Sequence, residues 1–244
     1  WRGEHPMPDA NQHDGALRGV QAWPTMFFLR NWAEHAARGS RIISHLQGLQ
    51  ERQQQPVASG VAERMKSATG LSEGGFDLLR EPNEDLAALA AFLTGSVAGA
   101  AAVANDCREE AGDLAVTIVD SWYHITNAGG FHDAHFHHGC SWCGIYYLRV
   151  GDASGRARGG APNGGSRFYC PLTCGGQYRD FGNRYLGGTL DMPIEDGLLV
   201  IFPSFLLHSG LPYQGAQDRI VIAFNARVHV RAGSNLAARL AGSP

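Results

Sequence analysis

A marked excess of charge of either sign is missing from this chain: 20 Lys and Arg stand against 23 Asp and Glu among 244 residues, a formal net charge of −3. A balance this even creates no field that draws a protein to nucleic acid or to an anionic membrane surface, so neither partner is expected. No apolar run is read as approaching the roughly 20 residues that a bilayer span needs, so no membrane segment is expected. The amino terminus, WRGEHPMPDANQHDG, lacks the basic-then-apolar layout of a signal peptide. Because the chain starts on Trp1, a removed presequence stays open. Cysteine is scarce and its count of five is odd, which argues against a disulfide framework and for a reducing, cytoplasmic setting. No repeat of fixed period is visible.

What is present is enough apolar material for a sizeable core, 44% of residues, arranged in two different periods. The first half reads as helical. Ile42, Ile43, Leu46 and Leu49 recur at helical spacing until Pro56 ends or kinks the run. A second helix, with Asp85 as its cap, carries the apolar stripe Leu86, Leu89, Phe92, Leu93 and Val97. Ahead of both, Ala22 to Arg30 reads as an edge strand, a place that tolerates Pro24. From Leu114 the period becomes that of strands: LAVTIVDSWYHIT, DAHFHH, WCGIYYLRV, SRFYC, GLLVIF, FLLHSG and RIVIAFNARVHV, separated by turn formers. This segregation predicts an α+β protein, with a helical buttress over 1–112, a β sandwich or barrel over 113–232 and a tail over 233–244, all one integrated domain. Gly151 to Ser166 reads as a mobile glycine-rich loop, in which solvation is the simpler role for Arg156 and Arg158.

Two histidine-bearing segments carry the chemistry, GGFHDAHFHHG at 129–139 and FPSFLLHSG at 202–210. Alternation in a strand sets Phe131, Asp133, His135 and His137 on one face and His132, Ala134, Phe136 and His138 on the other. If Ala134 and Phe136 face the packed layer, Asp133, His135 and His137 enter the cavity. His208 arrives just beyond the buried strand GLLVIF, at the mouth of a barrel, and completes a mononuclear metal site. Arg219 opens the returning strand, with Val221, Ala223 and Asn225 on its face. Strand spacings put that guanidinium roughly 8 to 11 Å from a metal at His208, a gap that a five-carbon dicarboxylate spans. One end would chelate the metal and the far carboxylate would take the guanidinium fork. Trp122, His124, Asn127, Tyr146 and Tyr147 come from strands expected to line the cavity, where each serves equally well as barrel packing. Cys140-x-x-Cys143 and Cys170-x-x-x-Cys174 have spacings that suit zinc, but Cys143 opens a strand in which a small buried cysteine is ordinary, and packing is the preferred reading.

The stretch from Trp122 to Arg227 resembles the 2-oxoglutarate- and iron(II)-dependent oxygenases of unassigned substrate, relatives of the prolyl hydroxylases. The matching positions are Gly130, His135, His137, Gly144, Tyr146, Tyr147, Pro203, His208, Arg219, Phe224 and Asn225. Cys170 stands where the family usually has an aspartate, and Cys143 where it has a serine. The resemblance implies a double-stranded β-helix, a jelly-roll or cupin-like barrel, with Fe(II), 2-oxoglutarate and O2 as cofactors. It implies hydroxylation of a C–H bond in a small molecule or an amino-acid or peptide side chain, with release of succinate and CO2. It also assigns Arg219, Tyr147, Asn127, Asn225 and Trp122 to the cofactor pocket. The wider superfamily holds iron with two histidines and a carboxylate, whereas His137 fills the place of that carboxylate here. Three ligand sets therefore stay open, in this order: His135, His137 and His208; His135 and His208 with Asp133; two histidines with water. A cupin-type metal protein without 2-oxoglutarate is the competing class. The chain lacks the cupin glutamate after H-x-H, with Ser141 and Trp142 in its place.

Overall fold

The structure is a computed structural model that describes residues 25–54, 70–152, 162–171 and 188–242. Ten strands and three α-helices occur among these residues: β1 Phe28–Asn31, α1 His35–Gln54, β2 Leu71–Gly74, α2 Glu84–Ala104, β3 Leu114–Thr126, β4 Gly130–His135, β5 Trp142–Arg149, β6 Ser166–Tyr169, β7 Thr189–Asp191, β8 Leu198–Pro203, β9 His208–Tyr213, β10 Arg219–Val230 and α3 Asn235–Ala241. They form two antiparallel sheets. The major sheet runs β1-β8-β5-β10-β3-β2 and the minor sheet β4-β9-β6-β7. This is the double-stranded β-helix that the resemblance implied, with helices on the outer face of the major sheet. The amino-terminal half also supplies β1 and β2, the two edges of that sheet.

Alternation along the central strands sorts their side chains into two cores. Tyr146 and Leu148 of β5, Leu199 and Ile201 of β8, and Ile220, Ile222 and Phe224 of β10 face the helices and meet Leu86, Leu89, Leu93 and Val97 of α2 and Ile42 and Leu46 of α1. Cys143 and Tyr147 of β5, Leu198, Val200 and Phe202 of β8 and Val221 of β10 face the minor sheet and meet Phe168. Strand β8 is buried on both faces, as its unbroken apolar run predicts. Gly144 is required by this packing, because a Cβ there would lie 2.3 Å from the Phe224 ring.

Two expectations about α2 are corrected. Its cap is Asn83, whose side-chain oxygen accepts from the Asp85 and Leu86 amides, and not Asp85. Asp85 instead takes Arg41 and Arg38 of α1, and these bonds hold its carboxyl down at about 2. The helix is also long and apolar enough, by length and composition, to cross a membrane, although no such run was expected. Here its apolar stripe is the lid of the helix-side core. At the other end of the chain, Ser234 caps α3, Leu236 is buried and its amide donates to Asp113, which ties the tail to the start of β3. Pro24 and Pro56 fall outside the described residues, as do Arg156 and Arg158 of the glycine-rich segment.

Candidate metal centre

The site lies between the sheets, on β4 and β9 of the minor sheet and β3 and β10 of the major one. Strand β4 is not regular. Its partners on β9 are Tyr213 for Gly130, Gly210 for His132 and His208 for His135, with register shifts in both intervals. From His132 to His135 the strand takes three steps against two on β9, which is a bulge. Strict alternation separated His132 from His135, yet the bulge returns both to the cavity, with their ring centroids 4.1 Å apart. Asp133 and Ala134 fall in the bulge and are exposed, and Phe136 is 49% exposed instead of facing a packed layer. The Asp133 carboxylate joins no ligand cluster found among the described residues, whereas its backbone carbonyl does position a neighbour.

His135, His137 and His208 converge, each offering a ring nitrogen, and these three atoms lie within 4.8 Å of one another. His208 follows the turn after Pro203, and the backbone places it directly opposite His135. His137 comes after β4 has ended, and its amide donates to the Ser204 carbonyl at 3.1 Å, fixing it beside the same turn. The Nδ1 of His208 bonds the Leu206 carbonyl at 2.9 Å and that of His135 bonds the Asp133 carbonyl at 2.7 Å. A ring nitrogen facing a carbonyl must carry the proton, so Nε2 of each is bare and ready for a cation. Burial pushes His208 down to about 3 and His137 down to about 4, the latter also through the neighbouring His135. His135 is lowered as well, again by burial first. All three are neutral at ordinary pH, the state that binds metal. Phe202, Phe168 and Trp122 wall the cluster.

Arg219 lines the same cavity, whose volume is about 490 Å3 counting the solvent at its mouth. The residue is 5% exposed, and its guanidinium lies 5.4 Å over the Tyr147 ring. Its Nε is buried without a hydrogen-bond partner among the described residues, and no carboxylate pairs with it there. A buried cation of this kind has an unmet demand for an anion. Tyr147 donates its hydroxyl to Ser166 Oγ at 2.7 Å, so the platform under Arg219 is itself fixed.

The other expected cavity residues divide. Trp122 and His124 line it. Tyr146 points to the helix side, where its hydroxyl meets His35. Asn127 and Asn225 do not reach the lining and act as braces instead. Asn127 donates to Asp218 and accepts from the Ala128 and Gly215 amides, which ties two turns together. Asn225 accepts from the Cys143 thiol and donates to Asp120 beneath the floor. Cys143 is thus a packed, hydrogen-bonded thiol whose pKa burial pushes up, and Cys174 of the possible zinc set lies outside the described residues. Sequence reasoning missed Glu73, a buried carboxylate on β2 whose oxygen lies 3.6 Å from His124 Nε2. A lone glutamate in LSEGG gives no signal, since only the β2–β3 pairing brings it to the site.

Residues 120–225 match the family described as "Putative 2OG-Fe(II) oxygenase". Among solved structures, the epimerase SnoN from nogalamycin biosynthesis, in complex with Fe3+, alpha ketoglutarate and nogalamycin RO, superposes with a TM-score of 0.53 at 12% identity, over 89% of this chain and 86% of that one. The carbocyclase SnoK from the same biosynthesis gives 0.53 at 9% identity, over 89% and 87%. AviO1 from Streptomyces viridochromogenes Tue57 gives 0.50 at 13%, over 85% and 90%. These similarities carry the fold. No curated protein matches the chain by sequence. The stretch that matches the 2-oxoglutarate- and iron(II)-dependent oxygenases is the one that brings His135, His137, His208 and Arg219 into a single cavity.

Proposed function

We propose that His135, His137 and His208 hold the ferrous ion, that Arg219 takes the far carboxylate of 2-oxoglutarate, and that the enzyme hydroxylates a C–H bond of a small molecule or of an amino-acid or peptide side chain. The observation that carries this reading is the buried Arg219, with its unpartnered Nε, in the cavity that the three histidines line. A metal site alone would suit many proteins, but a metal site facing a buried guanidinium that has no carboxylate partner among the described residues suits a dicarboxylate. The donor set fits ferrous iron: three neutral imidazoles, two of them aimed by carbonyl hydrogen bonds on the opposite nitrogen.

When bound, iron and 2-oxoglutarate supply the oxidising chemistry, and the co-substrate leaves as succinate and CO2. The chain's own residues bind, orient and exclude water. The Leu206 and Asp133 carbonyls lock the ring orientations of His208 and His135. Tyr147 and Ser166 hold the guanidinium in register, and Val221 and Ala223 leave an apolar passage between it and the histidines. Phe168 and Phe202 keep the His208 side dry, which strengthens every polar contact inside. Hydroxylation is the simplest outcome of such a site. The similar folds of an epimerase and a carbocyclase make product analysis part of the test.

Anaerobic protein reconstituted with ferrous iron and 2-oxoglutarate should develop the weak visible band of the metal–2-oxoglutarate chelate. Absence of the band in the parent would sink the 2-oxoglutarate reading and favour a cupin-type metal protein. In Arg219→Ala the band should require far more 2-oxoglutarate, while iron content stays unchanged.

A further inference from the structure

A second group of ligand atoms adjoins the first. Glu73 of β2, His124 of β3 and His132 of β4 each offer one atom, and these three atoms lie within 4.8 Å of one another. The proposed iron ligands are all imidazoles, whereas this group has two imidazoles and a carboxylate, a donor set that divalent first-row metals favour. Three strands from both sheets deliver it. Glu73 and His124 are register partners on β2 and β3, and the β4 bulge turns His132 toward them. Both Glu73 and His124 are largely buried, at 11% and 13% side-chain exposure. The rings of His124 and His132 stack at 5.4 Å, and that of His132 continues to His135 at 4.1 Å.

The tautomers suit a cation. His132 Nδ1 faces the Asp133 carbonyl at 3.1 Å, the same device that leaves Nε2 bare in His135 and His208. The Trp122 indole donates to His124 Nε2 at 3.0 Å, so that nitrogen carries no proton either. The same nitrogen atom lies 3.6 Å from a Glu73 carboxylate oxygen, which sets two acceptors side by side where a cation would be held by both. From this geometry we propose that Glu73, His124 and His132 form a second divalent-metal site abutting the first. An ion there displaces the indole from His124 Nε2 and is held by the carboxylate and the two rings. Two dications at close quarters repel, and a single carboxylate offsets only part of that repulsion, so the second ion loads after the first and at higher free metal.

The test uses the untagged 244-residue chain, stripped of metal and titrated anaerobically with Co(II), with bound metal counted after desalting. The proposal requires two successive equivalents in the parent. Glu73→Gln, close to isosteric, and His132→Asn should each lose the second equivalent, keep the first, and still form the ferrous 2-oxoglutarate band. His208→Ala should lose the first equivalent and keep the second. A parent that stops at one equivalent overturns the proposal, and so does a Glu73→Gln protein that still binds two. Neither result touches the first site, because a failure there shows separately as a His208→Ala count equal to that of the parent. A shared loss of fold in the variants is excluded by far-ultraviolet circular dichroism and by retention of the band.

Discussion

Strands β10 and β4 face each other across one cavity, and they obey different rules. On β10, Ile220, Ile222 and Phe224 point to the helices and Arg219 and Val221 to the site, in the alternation expected of a pleated strand. On β4 the same rule fails between His132 and His135. The difference is one of support. Strand β10 lies between β5 and β3 with both faces covered, and it keeps its own alternation even where its pairing shifts, at Ile220/Val221 against β5 and at Asn225/Ala226 against β3, because turning its row over would expose apolar side chains. Strand β4 is an edge strand, with Phe131 exposed on it and Phe136 exposed just beyond it, so an extra residue costs little buried surface, and the bulge is free to aim side chains into the cavity. The regular strand carries Arg219 of the proposed anion site, and the irregular one carries His135 of the proposed metal site.

The largest effect that would break this comparison comes from the irregular side. His137→Ala is expected to reduce iron retained after desalting by more than about 100-fold, beyond the range typical of outer partners. Retention at the parental level would remove His137 from the ligand set. Next, Arg219→Ala on the regular strand is expected to weaken 2-oxoglutarate binding by about 2–5 kcal/mol, read as the concentration needed for half-maximal chelate band, with iron content intact. Gly144→Ala tests the packing behind β10: its Cβ would meet the Phe224 ring at 2.3 Å, so the melting midpoint should fall by the equivalent of about 1–3 kcal/mol.

A smaller effect concerns the metal-free protein. Burial lowers His208 to about 3 and His137 to about 4, below the ordinary value near 6.5, so the unfolded chain binds more protons as pH falls. This contribution to stability is fully present above about pH 6.5 and is lost progressively toward pH 4 and below. Thermal melts of the metal-free protein across that range should show a falling midpoint, and a flat profile would contradict the burial of the rings. The smallest change sharpens the reading of the bulge. Asp133→Asn keeps the carbonyl that holds His135 and alters only an exposed side chain, so iron content should stay within about two-fold of the parent. A large loss would make Asp133 a ligand after all.

Much of the fold was legible because hydrophobic period and burial coincide where elements are covered. The stripe of α2 and the doubly buried β8 follow from pattern, and so does an edge strand ahead of the helices, although it occupies Phe28–Asn31 and not the whole of Ala22 to Arg30. The cap of α2 was misplaced by two residues, since Asn83 and Asp85 are both capping types and only the neighbouring Arg38 and Arg41 draw the Asp85 carboxylate away from the helix end. His135, His137, His208 and Arg219 were legible from spacing and type. The sequence could not place Asn127, just past β3, and Asn225, inside β10, outside the cavity lining, because a polar side chain looks the same there whether it braces a turn or a neighbouring strand or meets a ligand.

By itself, the sequence determined that this chain builds a helix-buttressed double sheet and carries histidines and an arginine suited to a metal and a dicarboxylate, because residue type and local period are written in order along the chain. Only the tertiary structure decided that His132 shares the cavity, that Asp133 does not, and that Glu73 joins it from a strand 51 residues before His124. Those outcomes depend on register between strands distant in sequence, which is set by the packing of the whole sheet and not by any local pattern.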